Sequence, residues 1–201
     1  NYFININTEE EFRNAISNAN GIFSVIIQKD KKIMFSVDKT RTFPLLYIDN
    51  ENDLIISDDS YFLRENYKND LDNVNSDEFL SIGFVMGEET LLQNIFQVQA
   101  GEFLISDGNR LKKEFYFDYL TKKTFIKSFD ELKSKFLDIL RDSIQRIIKL
   151  ANGRQIVLPL SGGYDSRIIA SLLKQANYQN VTCFTYGKKS NSEVVTSQKV
   201  A

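Results

Sequence analysis

The chain has 201 residues, 42% of them hydrophobic and 26% charged, which is enough for one substantial core or two modest ones. A net charge of -2 leaves no basic footprint for a phosphodiester backbone, so nucleic acid is excluded as the expected partner. With no histidine and a single cysteine, Cys183, the chain has neither the imidazole that Ser-His-Asp, Cys-His and His-zinc chemistry require nor an internal disulfide.

Near the start, Thr8-Glu9-Glu10-Glu11 has the spacing of a capping box, and Phe12, Ala15, Ile16 and Ala19 recur at helical intervals up to Asn20-Gly21. This predicts a short amphipathic helix. Short β-branched and aromatic runs follow at residues 22–28, 33–37, 45–49 and 54–57, separated by polar turns at 29–32 and 50–53, and they read as antiparallel hairpins. The apolar runs, such as residues 21–27, fall far short of the roughly 20 residues needed to span a bilayer. No membrane segment and no basic-then-apolar leader are read, and the cytoplasm is the expected compartment. A helix is predicted over residues 77–82, then a hairpin from residues 102–106, the turn Asp107-Gly108 and residues 111–117. Residues 1–120 thus read as one domain of antiparallel sheet with a few helices.

Residues 121–201 change character. Ser128-Phe129-Asp130-Glu131 is a second capping box; Leu132, Phe136, Ile139, Leu140, Ile144, Ile147 and Ile148 share one helical face, and Asn152-Gly153 supplies a stop. A buried strand (155–160), a glycine turn, a helix (166–176), a second strand (181–186) and a helix from about Ser192 follow, an alternation that predicts a parallel sheet with helices on its faces. Two parallel strands do not complete a doubly wound sheet, and residues 193–201 run into helix without a cap, so the natural protein is expected to continue past residue 201.

The strand 155–160 delivers the chain to Ser161-Gly162-Gly163-Tyr164-Asp165-Ser166. Glycines without β-carbons let backbone N–H groups approach an anion, the following helix aims its positive end at the same point, and Ser161 and Ser166 add hydroxyls. A carboxylate at a phosphate site, Asp165, makes sense when a divalent cation bridges it to the phosphates, which implies Mg2+. The plainer reading is a tight strand-to-helix turn with Asp165 or Ser166 as N-cap. At average residue frequencies the five fixed positions of Ser-Gly-Gly-x-Asp-Ser arise by chance on the order of once in several thousand chains of this length, which favours the functional reading. No Gly-Lys-Ser/Thr follows, so the loop is not a Walker P-loop, and it lacks the Gly-x-Gly-x-x-Gly spacing of dinucleotide folds.

The loop resembles the pyrophosphate loop of the N-type ATP pyrophosphatases, which include NAD, GMP, argininosuccinate and asparagine synthetases and tRNA-thiolating enzymes. Residues 21–26, 37–47, 56–59 and 97–102 occur in the order seen in asparagine synthetases, where a glutaminase domain precedes the ATP domain. Phe184-Thr185-Tyr186-Gly187 looks like that family's adenine-contacting strand end, and Lys199-Val200-Ala201 is similar to the helix that follows. The resemblance implies an incomplete Ntn-hydrolase-like antiparallel β-sandwich with helices (α+β), followed by part of an α/β parallel-sheet domain of the adenine-nucleotide α hydrolase type. It implies an ATP-dependent, amide-forming ligase that activates a small-molecule carboxylate as an acyl-adenylate, releases pyrophosphate and accepts an amine or ammonia. ATP would be held by Leu160, Ser161, Gly162, Gly163, Asp165, Ser166 and Tyr186, with Mg2+ at Asp165 and Tyr164 packed beside the nucleotide.

Several positions depart from the family. Its glutaminase nucleophile is an N-terminal cysteine, whereas residue 1 is asparagine and Cys183 falls in a predicted buried strand as inert packing. No catalytic residue is therefore assigned, and glutamine hydrolysis is not expected. Val37 and Arg41 stand where usual members carry arginine and glycine. Arg167 replaces the usual serine and is read as a solvated residue within reach of a phosphate; Asp38 is read as a turn or strand-end carboxylate. The alternatives are a non-catalytic nucleotide-binding relative and a β-lactam-forming or peptide-cyclising one.

Overall fold

A computed structural model describes residues 2–50, 53–67, 70–120, 128–188 and 190–200 and divides the chain into two units, Asn1–Thr121 and Lys122–Ala201. The expected domain boundary at residue 121, the middle of the expected turn at residues 50–53, and the end residues Asn1 and Ala201 lie outside the described residues.

In the first unit, α1 (Glu9–Asn18) starts on the capping box: the Thr8 hydroxyl accepts from Glu11 N at 3.2 Å and the Glu11 carboxylate accepts from Thr8 N at 3.0 Å. β1 (Ser24–Lys29) and β2 (Lys32–Val37) form a hairpin in which Lys29 faces Lys32 and Asp30 is left-handed at φ 53°. The lysines thus belong to the strands, and the first strand starts at Ser24 rather than Ile22. β3 (Leu46–Asp49), β4 (Leu54–Ser57), α2 (Ser60–Tyr67), α3 (Asn73–Ile82), β5 (Phe96–Gln97), β6 (Glu102–Ser106) and β7 (Leu111–Phe115) complete the unit. The expected helix at residues 77–82 is longer, capped by Asp72, whose carboxylate accepts from Asn75 N at 2.9 Å. Two elements escaped the sequence reading. α2 buries only Leu63, too little to show a helical period, and β5 is two residues long, too short to show alternation.

The strands form two antiparallel sheets, ordered β1-β2-β6-β7 and β4-β3-β5. Alternation along each strand sets four layers. Met34, Phe103 and Ile105 point from the larger sheet onto Ile6, Phe12 and Ile16 of the α1 side. The alternate residues Phe35, Val37 and Leu104 meet Leu45, Tyr47 and Val98 on the smaller sheet. Ile48 then turns to the far side, onto Leu63 of α2 and Ile95. β2 and β6 are covered on both faces, which is why they read as continuous apolar runs. Full burial of side chains such as Phe35 and Tyr47 between the sheets and Phe103 under α1 contributes about 1.5–3 kcal/mol each, so both layers hold the unit together.

In the second unit, α4 (Phe129–Ala151) begins on the Ser128/Glu131 capping box and ends at Asn152, left-handed at φ 46°. β8 (Ile156–Pro159), α5 (Tyr164–Gln175), β9 (Val181–Phe184) and α6 (Ser192–Val200) follow, and β8 and β9 pair in parallel, with Ile156 opposite Val181 and Pro159 opposite Phe184. Ile144 of α4 packs with Leu172 and Leu173 of α5, and Leu140, Ile148, Ile156 and Val181 border them. The predicted apolar face of α4 is only partly used: Leu132, Phe136, Ile139 and Ile147 are exposed. For Leu132 and Phe136 the reason is length, since at 1.5 Å per residue the 12 residues of α5 lie along only about half of the 23 of α4, whereas Ile147 faces away from the Ile144–Leu172 contact.

A candidate anion-binding loop

The loop lies at the carboxyl end of β8. Leu160, 3% exposed, still belongs to the sheet, donating its N–H to Phe184 O at 2.8 Å. Beyond it the chain turns out, and α5 begins at Tyr164, earlier than the expected Ser166. Gly163 is therefore the N-cap, at φ -70° and ψ 160°, and no side chain caps this helix. Asp165 and Ser166 stand within the first turn, so the plain N-cap role for either is not what the structure has. The N–H groups of Tyr164, Asp165 and Ser166 have no acceptor among the described residues. Three free donors at the positive end of a helix, at the carboxyl edge of a parallel sheet, form the usual receptor for an anion in this class of fold.

The two serines work unequally. Ser161 N donates to Ser166 Oγ at 3.1 Å, the two hydroxyls lie 3.0 Å apart, and Gly163 N donates to Ser161 Oγ at 3.2 Å. A hydroxyl has one proton and two acceptor sites. Ser166 Oγ also donates to Ser161 O at 3.3 Å, and either hydroxyl can give the proton between them, so Ser166 is the brace of the loop, and the Ser161 hydroxyl can turn outward whenever Ser166 gives its proton to Ser161 Oγ.

Gly162 is needed for space rather than for conformation. It is not left-handed, but a β-carbon there would lie 2.8 Å from Glu193 Cα and 3.2 Å from its Cβ. The first turn of α6 is thus seated directly on the loop, a contact between residues 31 positions apart in sequence that no local signal announces. Asp165 is exposed and has neither a hydrogen-bond nor an ion-pair partner among the described residues. No group of three or more His, Cys, Asp or Glu able to hold a metal occurs among the described residues, so a cation at Asp165 would take its remaining ligands from phosphate and water, as Mg2+ commonly does. One unpartnered carboxylate beside free helix-terminal donors fits that requirement.

Tyr186 is not brought to the loop. β9 ends at Phe184 rather than at residue 186, and Tyr186 stands beyond it, 85% exposed, with no hydrogen bond or ring contact to residues 160–166 among the described residues. Tyr164 is also exposed, and it packs under Arg167. Arg167 is half-buried rather than solvated, and its Nε donates to Gly163 O at 3.1 Å. Cys183 is half-buried, not fully buried as expected, because β9 alternates and carries exposed Thr182 and Phe184 beside it.

In the first unit two buried carboxylates are structural. Asp38, 2% exposed, accepts from Thr40 N at 2.8 Å, Thr40 Oγ1 at 2.6 Å, Thr42 N at 3.1 Å and Phe23 N at 3.3 Å. Burial alone would raise its pKa, but the hydrogen bonds from Thr40, Thr42 and Phe23 together outweigh it and hold the carboxyl below the usual range. Glu102, 4% exposed, accepts from Gln99 N at 2.7 Å through one oxygen, and burial pushes its pKa up. Nearby, Tyr47 Oη donates to Glu88 at 2.8 Å and Lys113 pairs with Glu88 at 2.6 Å.

In comparisons with known proteins, no family model matches the chain and no curated protein is significantly similar to it.

Proposed function

We propose that this chain is the glutaminase-like and nucleotide-binding portion of an ATP-dependent, AMP-forming carbon–nitrogen ligase of the asparagine synthetase type, working in the cytoplasm on a small-molecule carboxylate and an amine or ammonia. The observation that carries this reading is the start of α5: three unclaimed backbone donors, a braced serine pair and an unpartnered Asp165, all at the carboxyl end of a parallel strand. In this reading the N–H groups of residues 164–166 and the Ser161 hydroxyl bind the β- and γ-phosphates of ATP, Gly163 keeps the approach clear, Gly162 leaves room for Glu193 of α6 beside the loop, and Leu160 anchors the loop to the sheet. Asp165 would hold Mg2+, which would supply positive charge beside the phosphates. Fixed donors aimed at developing charge need no reorganisation during reaction, and this is where such a loop lowers the barrier.

The first unit supports the same assignment in architecture. Its two antiparallel sheets, packed face to face between α1 and α2, are the arrangement expected of a glutaminase-type sandwich. It carries no cysteine, and Cys183 in the second unit has no hydrogen-bonded base among the described residues. We therefore read this portion as lacking glutaminase chemistry. No helix among the described residues is long and apolar enough to cross a membrane.

The test is Asp165→Asn in the full-length protein, a change that keeps shape and removes charge. Mg2+-dependent ATP affinity should fall roughly tenfold or more, and pyrophosphate release should fall with it. Parental binding and release in Asp165→Asn would mean that this loop is not the nucleotide site.

A further inference from the structure

Arg167 and Tyr164 make an arrangement that the loop motif does not include. The Arg167 guanidinium lies over the Tyr164 ring, Cζ 4.6 Å from its centroid, while Nε donates to the Gly163 carbonyl at 3.1 Å. On the other side of the same residue, Gly163 N is tied to Ser161 Oγ at 3.2 Å. Gly163 is the residue that joins the loop to the first helical turn, and as a glycine it has the widest choice of backbone conformations. Nothing intrinsic holds its ψ at 160°.

A trans peptide is planar, with its C=O and N–H pointing in opposite directions. Holding the Gly163 oxygen toward Arg167 therefore aims the Tyr164 N–H the other way, out of the helix end and into the space in front of the loop. The aromatic face holds the guanidinium from one side while Nε meets the carbonyl. Each contact alone is weak; together they restrain one flexible peptide.

We propose that Arg167 is a positioning residue, and that Arg167 and Tyr164 form a brace that holds the Gly163–Tyr164 peptide with its N–H set to receive a pyrophosphate-type anion. The proposal rests on the reading of the loop given above. It makes the side chains at 164 and 167 a matched pair: a planar cation and a ring. A lysine supplies charge but no Nε to hold the carbonyl and no plane to stack, whereas phenylalanine in place of tyrosine keeps the stack intact.

The test is calorimetric titration of the full-length protein with Mg-pyrophosphate and with Mg-ATP, using Arg167→Ala, Arg167→Lys, Tyr164→Phe, Tyr164→Leu and the Arg167→Ala/Tyr164→Leu double variant. Both arginine variants and Tyr164→Leu are expected to bind roughly tenfold more weakly, Tyr164→Phe to match the parent, and the double variant to bind no more weakly than the worse single one. In the parent, the 15N-resolved amide of Tyr164 should shift on adding Mg-pyrophosphate. Circular dichroism of every variant should match the parent, since both side chains lie at the surface end of the helix. Parental affinity in Arg167→Lys alongside weak binding in Arg167→Ala would show that charge alone acts and overturn the brace, as would an additive double variant. A parent that binds while all arginine variants bind equally well overturns the brace but leaves the loop assignment standing. A parent that binds neither ligand overturns the loop assignment and the brace together.

Discussion

Gly162→Ala is the sharpest perturbation of the loop, because two effects of opposite sign meet there. Gly162 is not left-handed, so alanine fits its backbone and would stabilise the chain by about 0.4–1 kcal/mol through the unfolded state. Against this, the new β-carbon would lie 2.8 Å from Glu193 Cα, 3.2 Å from Glu193 Cβ and 3.3 Å from Glu193 Cγ. The first of these is roughly 0.7 Å inside an ordinary carbon–carbon contact, and it is made with backbone, which cannot rotate away. Overpacking of this kind costs about 1–3 kcal/mol. The clash should win by about 1 kcal/mol, and α6 should shift away from the loop. The two units need not unfold together, so the right assay is peptide-resolved amide hydrogen exchange, which reads each separately. We expect protection in α6 to fall roughly fivefold or more while β2 and β6 stay unchanged. Gly163→Ala is the control: its β-carbon would meet only Ser161 Oγ, at 3.2 Å, a rotatable side chain. If Gly162→Ala protects α6 as well as the parent does, α6 does not sit on the loop.

Two further outcomes concern the first unit. Asp38→Asn removes the charge that organises residues 38–42, and it should destabilise this unit by about 1.5–3 kcal/mol in denaturant titration, the scale of a hydrogen bond to a charged group. Because the folded-state pKa of Asp38 lies below its unfolded value, the stability it contributes is present above the unfolded pKa and is lost as pH falls through the folded one, so the gap between parent and variant should narrow in acid. An unchanged gap at low pH would contradict this. Glu102 has the opposite sign: with its pKa raised by burial, its contribution is full below the unfolded value and is lost as pH rises through the folded one. Glu102→Gln, which keeps an oxygen for Gln99 N, should raise the melting temperature at alkaline pH and change it little in acid; a lower melting temperature at alkaline pH would refute the assignment.

Local chemistry made much of this protein legible in its sequence. The capping boxes at Thr8 and Ser128 place the starts of α1 and α4 because both partners lie within one turn of each other. The stop at Asn152 and the β1–β2 turn are equally local, and so is the Ser161–Ser166 motif, whose serines come together because a single tight turn separates them. Tertiary structure decided the rest. Whether Leu132 and Phe136 are covered depends on how far α5 extends, and β5 exists as a strand only because β3 offers it an edge. Asp38 is structural because Phe23, Thr40 and Thr42 fold onto it, and Gly162 is a contact point because α6 returns to the loop. The physical division is one of range: caps, turns and periodicity are settled within a few residues, whereas burial and close approach depend on which distant segment arrives to fill the space.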